Sequence, residues 1–119
     1  MASRVRIEIA ATGRPVAGEA WTAANAWERM VGLLATERLG PGQGLLLAPC
    51  GSVHTFGMRF SIDILFLDRQ NRVLAVARDV GPCRVRVGPR SARSVLELAA
   101  GAASAAGVRE GDALRLVPR

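Results

Sequence analysis

The stretch that decides the fold is Val53-His54-Thr55-Phe56-Gly57-Met58-Arg59-Phe60-Ser61-Ile62-Asp63-Ile64-Leu65-Phe66-Leu67-Asp68. Its second half, Ile62–Leu67, is apolar on both faces except at Asp63, which reads as a buried strand. Asp68-Arg69-Gln70-Asn71-Arg72 is a hairpin loop, and Val73–Ala77 is the returning strand. Working outward, Gly44–Ala48 is an apolar run that stops at Pro49. Arg84–Val87 alternates Arg and Val. Ser94–Ala99 carries Val95, Leu96 and Leu98 around Glu97. Ala100–Gly107 is small-residue chain with room for one helical turn. Glu110-Gly111-Asp112 is a turn, and Ala113–Val117 is a closing strand. At the other end, Val5, Ile7 and Ile9 alternate with Arg4, Arg6 and Glu8, a half-buried strand ahead of the turn Thr12-Gly13-Arg14-Pro15.

One helical pattern interrupts the strands. Trp27, Met30, Val31 and Leu34 form a single stripe at helical spacing. Asn25 and Glu28 read as a capping box, with Thr22 as a competing N-cap. Gly40-Pro41-Gly42 closes the segment. The expected fold class is therefore mainly β: a compact small barrel or sandwich of about seven short strands, with one short helix near residues 25–34. Residues 1–119 are expected to form a single domain, since 119 residues suffice for one hydrophobic core.

Composition narrows the function classes. Half of the residues are hydrophobic and 22% are charged, which excludes disorder by composition. No apolar run approaches the roughly 18 residues of a membrane span. The charged N-terminus lacks the apolar centre of a signal peptide, so a cytoplasmic location is expected. Cys50 and Cys83 are then expected as thiols. The net charge is +6, and all of the basic residues are Arg. A chain rich in Ala and free of Lys reads first as a genome-wide codon bias. The Arg row Arg84, Arg86 and Arg90, with Arg59 and Arg93 nearby, reads as a solvated face or an anion-binding face. Aromatics are only 4% of the chain, which counts against a stacking platform for nucleic acid. Gly40-x-Gly42-x-Gly44 is not a phosphate loop, because no Lys-Ser or Lys-Thr follows it. No cofactor motif is present, and no cofactor is expected.

His54 is the sole histidine and sits in a Gly- and Ser-bearing segment four residues after Cys50. Four readings apply. It could pin its loop, or anchor a ligand. It could activate Cys50 as a candidate nucleophile, or ligate a metal with Cys50, Cys83 and a carboxylate. The first two are favoured, and no catalytic or metal residue is assigned. Asp63 lies in an apolar strand and must have a partner, because an unpaired buried carboxylate is costly. Backbone N–H groups, Arg59 and His54 are the candidates. Glu97 repeats the pattern. Two such acids could do paired acid–base work only if they approach each other.

The residues Arg29-Met30-Val31-Gly32-Leu33-Leu34, Gly42-x-Gly44-Leu45-Leu46-Leu47 and the block Val53–Asp68 resemble the domain-of-unknown-function family 192, DUF192. Val95–Gly101 and Gly111-Asp112 are similar to its closing segments. The likeness spans about residues 21–117. In the family's commoner form an aromatic precedes the Met and Asn-Thr follows it; here Gly57 and Arg59-Phe60 occupy those places. The resemblance implies a small β-rich, barrel-like domain with a short helix and no established activity. It points to His54, Met58 and Asp63, then Glu97.

The sequence names no reaction. Its functional expectation is a non-catalytic ligand- or partner-binding accessory protein with a pocket around His54–Asp63. Phe56, Met58 and Phe66 would wall that pocket, and His54, Thr55, Arg59, Asp63 and Glu97 would supply polar contacts. The partner would be a small polar or anionic ligand or a peptide segment, with the protein a monomer or weak dimer. The alternatives are a hydrolase or thiol-dependent enzyme using Cys50 and His54, and Arg-mediated nucleic-acid or anion binding.

Overall fold

Asp63 and Leu65 on one side of a strand, and Ile64 and Phe66 on the other, are all buried, so this strand must have a core on each face. A computed structural model describes residues 4–23 and 39–119 and shows how both cores are built. Nine strands occur among the described residues: β1 (Arg4–Ile9), β2 (Pro15–Ala23), β3 (Gln43–Leu47), β4 (Ser52–His54), β5 (Ile62–Leu67), β6 (Val73–Val80), β7 (Val85–Val87), β8 (Ser94–Ala99) and β9 (Leu114–Pro118). A short helix, α1, spans Ala102–Ala106. The helix expected near residues 25–34 lies outside the described residues. Two strands exceed the expected seven. One is β4, and the other is β2, which contains Thr22 rather than leaving it as a helix cap.

Seven strands form one sheet in the order β6-β5-β8-β3-β2-β1-β9. Only β2 and β3 pair in parallel; the other neighbours are antiparallel. The sheet curls into a half-barrel, and its two outer strands meet at one end. There the Val73 N–H donates to Asp112 O (2.8 Å), Gly111 N–H to Val73 O (2.8 Å) and Leu114 N–H to Asn71 O (2.9 Å). Inside the curl lie Ile7, Ala17, Leu46, Leu65, Leu67 and Leu96, with Ala103 and Ala106 of α1 above them. The other face carries Leu45, Leu47, Ile62, Ile64, Phe66 and Val95. β4 and β7 form a separate two-stranded antiparallel sheet over this outer core, here called the flap.

The flap is seated by side chains that alternate with exposed ones. Val53 points into the outer core beside Met58 and Ala92, while Ser52 and His54 on either side of it are exposed. The flap's exit passes over Phe66 at Gly88. A Cβ on Gly88 would lie 2.4 Å from the Phe66 ring, so only glycine admits this contact.

Candidate functional site

Thr55 fixes the end of β4. It is buried, although both its neighbours are exposed. Its hydroxyl donates to Gly81 O (2.7 Å) and accepts from the Arg84 N–H (2.8 Å). Its own N–H donates to Arg84 O (2.8 Å), and its carbonyl accepts from the N–H groups of Met58 and Cys83 (both 3.2 Å). One side chain thus ties the segment 55–58 to the turn that enters β7. A buried hydroxyl is stable only when its hydrogen bonds are made, and here both are.

With Thr55 held inward, His54 and Phe56 are held outward. The two rings stack with centroids 5.1 Å apart and planes 28° from parallel. His54 Nδ1 accepts from the Phe56 N–H at 3.3 Å. That bond leaves Nδ1 without a proton and makes Nε2 the donor of the neutral ring. His54 is exposed, and Phe56 is 55% exposed. Val85 faces His54 across the ladder, and Val87 faces Ser52. These valines are 53% and 76% exposed. Phe56, Val85 and Val87 are the large apolar side chains exposed among the described residues; the two valines stand on β7 and Phe56 just beyond the end of β4. Arg59 is also exposed, three residues beyond Phe56.

The remaining residues singled out from sequence are placed elsewhere. Met58 and Phe66 are buried in the outer core. Asp63 is fully buried on the opposite face, where Leu65 and Leu67 join the inner core. Its Oδ1 accepts from the Asp79 N–H (2.9 Å); its Oδ2 accepts from the N–H groups of Gly101 (3.1 Å) and Ala103 (3.0 Å). Asp63 therefore caps α1 from a neighbouring strand, a role Gly101 at the cap position has no side chain to fill. Of the partners considered for it, backbone N–H groups are the ones it has. Glu97 is also fully buried, set between Leu45 of β3 and Ile64 of β5 on the outer-core face. The two carboxylates thus lie on opposite faces of one sheet, which removes paired acid–base work. Asp63 and His54 do not converge either: one lies under α1, and the other on the flap.

The thiols are apart from His54 in their bonding. Cys50 Sγ is half-buried and donates to Ser52 O at 3.0 Å. Cys83 is exposed. Both are free, and no hydrogen bond joins either to His54 among the described residues. No group of three or more His, Cys, Asp or Glu side chains converges there as a metal site. No helix among the described residues is long and apolar enough to cross a membrane.

Sequence reasoning missed Val85 and Val87. Alternation of Arg with Val reads as valines inward, yet both valines are outward and Arg86 is half-buried. The signal was the shortness of the strand, since a three-residue strand at an edge need not bury its apolar positions.

A half-barrel with a seated flap defines a class of small β domain. The chain belongs to the DUF192 family (Uncharacterized ACR, COG1430), whose match covers residues 7–116. Two crystal structures share the fold. One is a protein of unknown function from Novosphingobium aromaticivorans DSM 12444, 20% identical, with a TM-score of 0.75 over 96% of this chain and 84% of that one. The other, from Sinorhizobium meliloti 1021, carries the provisional description of a transcription regulator. It is 22% identical, with a TM-score of 0.78 over 98% of this chain and 94% of that one. No curated protein matches the sequence.

Proposed function

We propose that the protein is a non-catalytic binding domain whose partner engages the exposed end of the His54–Asp63 segment. The partner is a small anionic or polar molecule or a peptide segment. The observation that carries this reading is the exposed His54–Phe56 stack beside Val85 on a flap whose base is pinned by Thr55. Exposed apolar side chains gathered on one element, next to donors of fixed direction, are what a recognition surface requires. Asp63, which holds α1 and β6 on the other face of the sheet, has no part in this surface. The hydrogen bonds of Cys50 and His54 to their own loops favour binding over a thiol-dependent reaction.

A thermal-shift series tests the reading. Wild type and the double variant His54→Ala, Phe56→Ser are screened against inorganic phosphate, monosaccharides and acidic peptides. The reading expects at least one ligand to raise the melting temperature of the wild type and not of the variant. Stabilisation that survives in the variant for every active ligand overturns it.

A further inference from the structure

Charge and backbone edge coincide on the flap. Residues 50–61 and 81–93, which hold its two strands and the segments on either side of them, contain five arginines (Arg59, Arg84, Arg86, Arg90 and Arg93) and no Asp or Glu. The rest of the chain balances eleven arginines against ten acids, so nearly the whole net charge of +6 arises here. Elsewhere three of the described arginines meet carboxylates: Arg4 pairs with Glu19, and Arg6 and Arg115 with Glu8. Among the described residues, none of the five flap arginines is in an ion pair.

Among the described residues, β7 pairs with one strand, β4. The Thr55 N–H bond to Arg84 O and the Gly88 N–H bond to Gly51 O bracket their ladder. By the alternation of an antiparallel pair, Arg84, Arg86 and Gly88 turn their peptide groups toward β4, and Val85 and Val87 turn theirs away. The outer edge of β7 therefore presents the N–H groups of Val85 and Val87. It also presents a cation, because the Arg86 guanidinium folds back onto Val85 O at 2.9 Å. Among the described residues, the two most exposed valines stand on this strand.

We propose that β7 accepts an extended acidic peptide as an added antiparallel or parallel strand, with apolar residues against Val85 and Val87 and carboxylates on Arg84, Arg86 and Arg90. This rests on the binding reading above and names its partner. Charge complementarity selects an anion, and the strand edge with two exposed valines selects a polypeptide over a nucleic acid. Single-stranded nucleic acid would call for several exposed rings for its bases, whereas Phe56 is the one large exposed aromatic among the described residues.

The test uses a fluorescein-labelled heptapeptide of alternating Glu and Val with blocked ends, followed by fluorescence anisotropy. Saturable binding that weakens with salt, with no binding of a Lys–Val counterpart, is expected. Methylating alternate backbone nitrogens on the edge that faces β7 keeps every side chain and removes the ladder donors; it should weaken binding about tenfold. Val87→Pro, which deletes an outward N–H, should do the same; the methylated peptide settles the matter if that variant does not fold. Equal affinity for methylated and plain peptide overturns strand addition. If that equal affinity is nevertheless lost in His54→Ala, Phe56→Ser, the flap still binds and only the mode is wrong. If it survives there as well, the binding reading fails too. Absence of peptide binding beside tight binding of a single-stranded oligonucleotide overturns the partner class.

Discussion

Asp63 and Glu97 sit on adjacent strands of one sheet, both fully buried, and face opposite cores. Asp63 shares the α1 side with Leu65 and Leu67, and Glu97 shares the flap side with Val95. Asp63, whose bonds are all to backbone N–H groups, is thereby a structural staple. What it holds can be measured apart from binding.

Asp63→Ala leaves the N–H groups of Asp79, Gly101 and Ala103 without their acceptor. Each unsatisfied donor costs about 1–3 kcal/mol, so a loss of about 3 kcal/mol or more is expected in urea melts. Amide exchange at Gly101 and Ala103 should quicken with it. A variant as stable as wild type would remove the staple.

Thr55→Val keeps the shape of the side chain and deletes the hydroxyl that serves Gly81 O and the Arg84 N–H. The expected loss is about 1–3 kcal/mol, with Thr55→Ser close to wild type. Loosening should concentrate in the flap, read as faster exchange at Arg84 and Cys83 than in the half-barrel strands. Uniform loss of protection across β5 and β8 would show that the flap and sheet are one cooperative unit.

Gly88→Ala brings a Cβ within 2.4 Å of the Phe66 ring. Overpacking of this kind costs about 1–3 kcal/mol. Gly51→Ala is the control, since its nearest new neighbour is Ala92 O at 3.7 Å. Equal denaturation midpoints for the two variants would contradict the packing described for Phe66.

The thiols should differ in reactivity. Cys83 is exposed, whereas Cys50 is half-buried with its S–H directed at Ser52 O. Iodoacetamide should label Cys83 first, and Cys50 no faster than a free thiol across about pH 5–9. Faster labelling of Cys50 would revive the thiol-dependent reading.

Much of the half-barrel was legible in the sequence, for reasons specific to each strand. β1 alternates cleanly because Arg4 and Arg6 on one face meet solvent, and Glu8 on that face is covered by its pairing with Arg115. β5 and β8 read as continuous apolar runs because both faces are covered. β2 was not legible: Pro15–Ala23 holds Ala and Gly where β-branched residues would announce a strand, and it is fixed instead by β1 on one side and β3 on the other. That the 54–63 segment holds a lone His and an acid among isoleucines was legible. Their separation was not, because it depends on which sheet face each residue takes, and strand pairing decides that. The Arg row of residues 84–90, with Arg59 and Arg93, was legible, but its place on a flap was not, since only the β4–β7 ladder joins the two segments.

The flap has a competitor elsewhere on the surface. A cavity of about 410 Å³ is lined by Arg14, Val16, Gly18, Gly42, Ala102 and Ala105, from α1, β2 and the turn ahead of β3. Amide chemical-shift mapping of the isotope-labelled protein against the alternating Glu–Val peptide separates the two directly. Saturable shifts are expected in residues 52–59 and 83–88, largest at Val85 and Val87. Shifts confined to Arg14, Gly42 and Ala105, with the flap unmoved, would contradict that expectation.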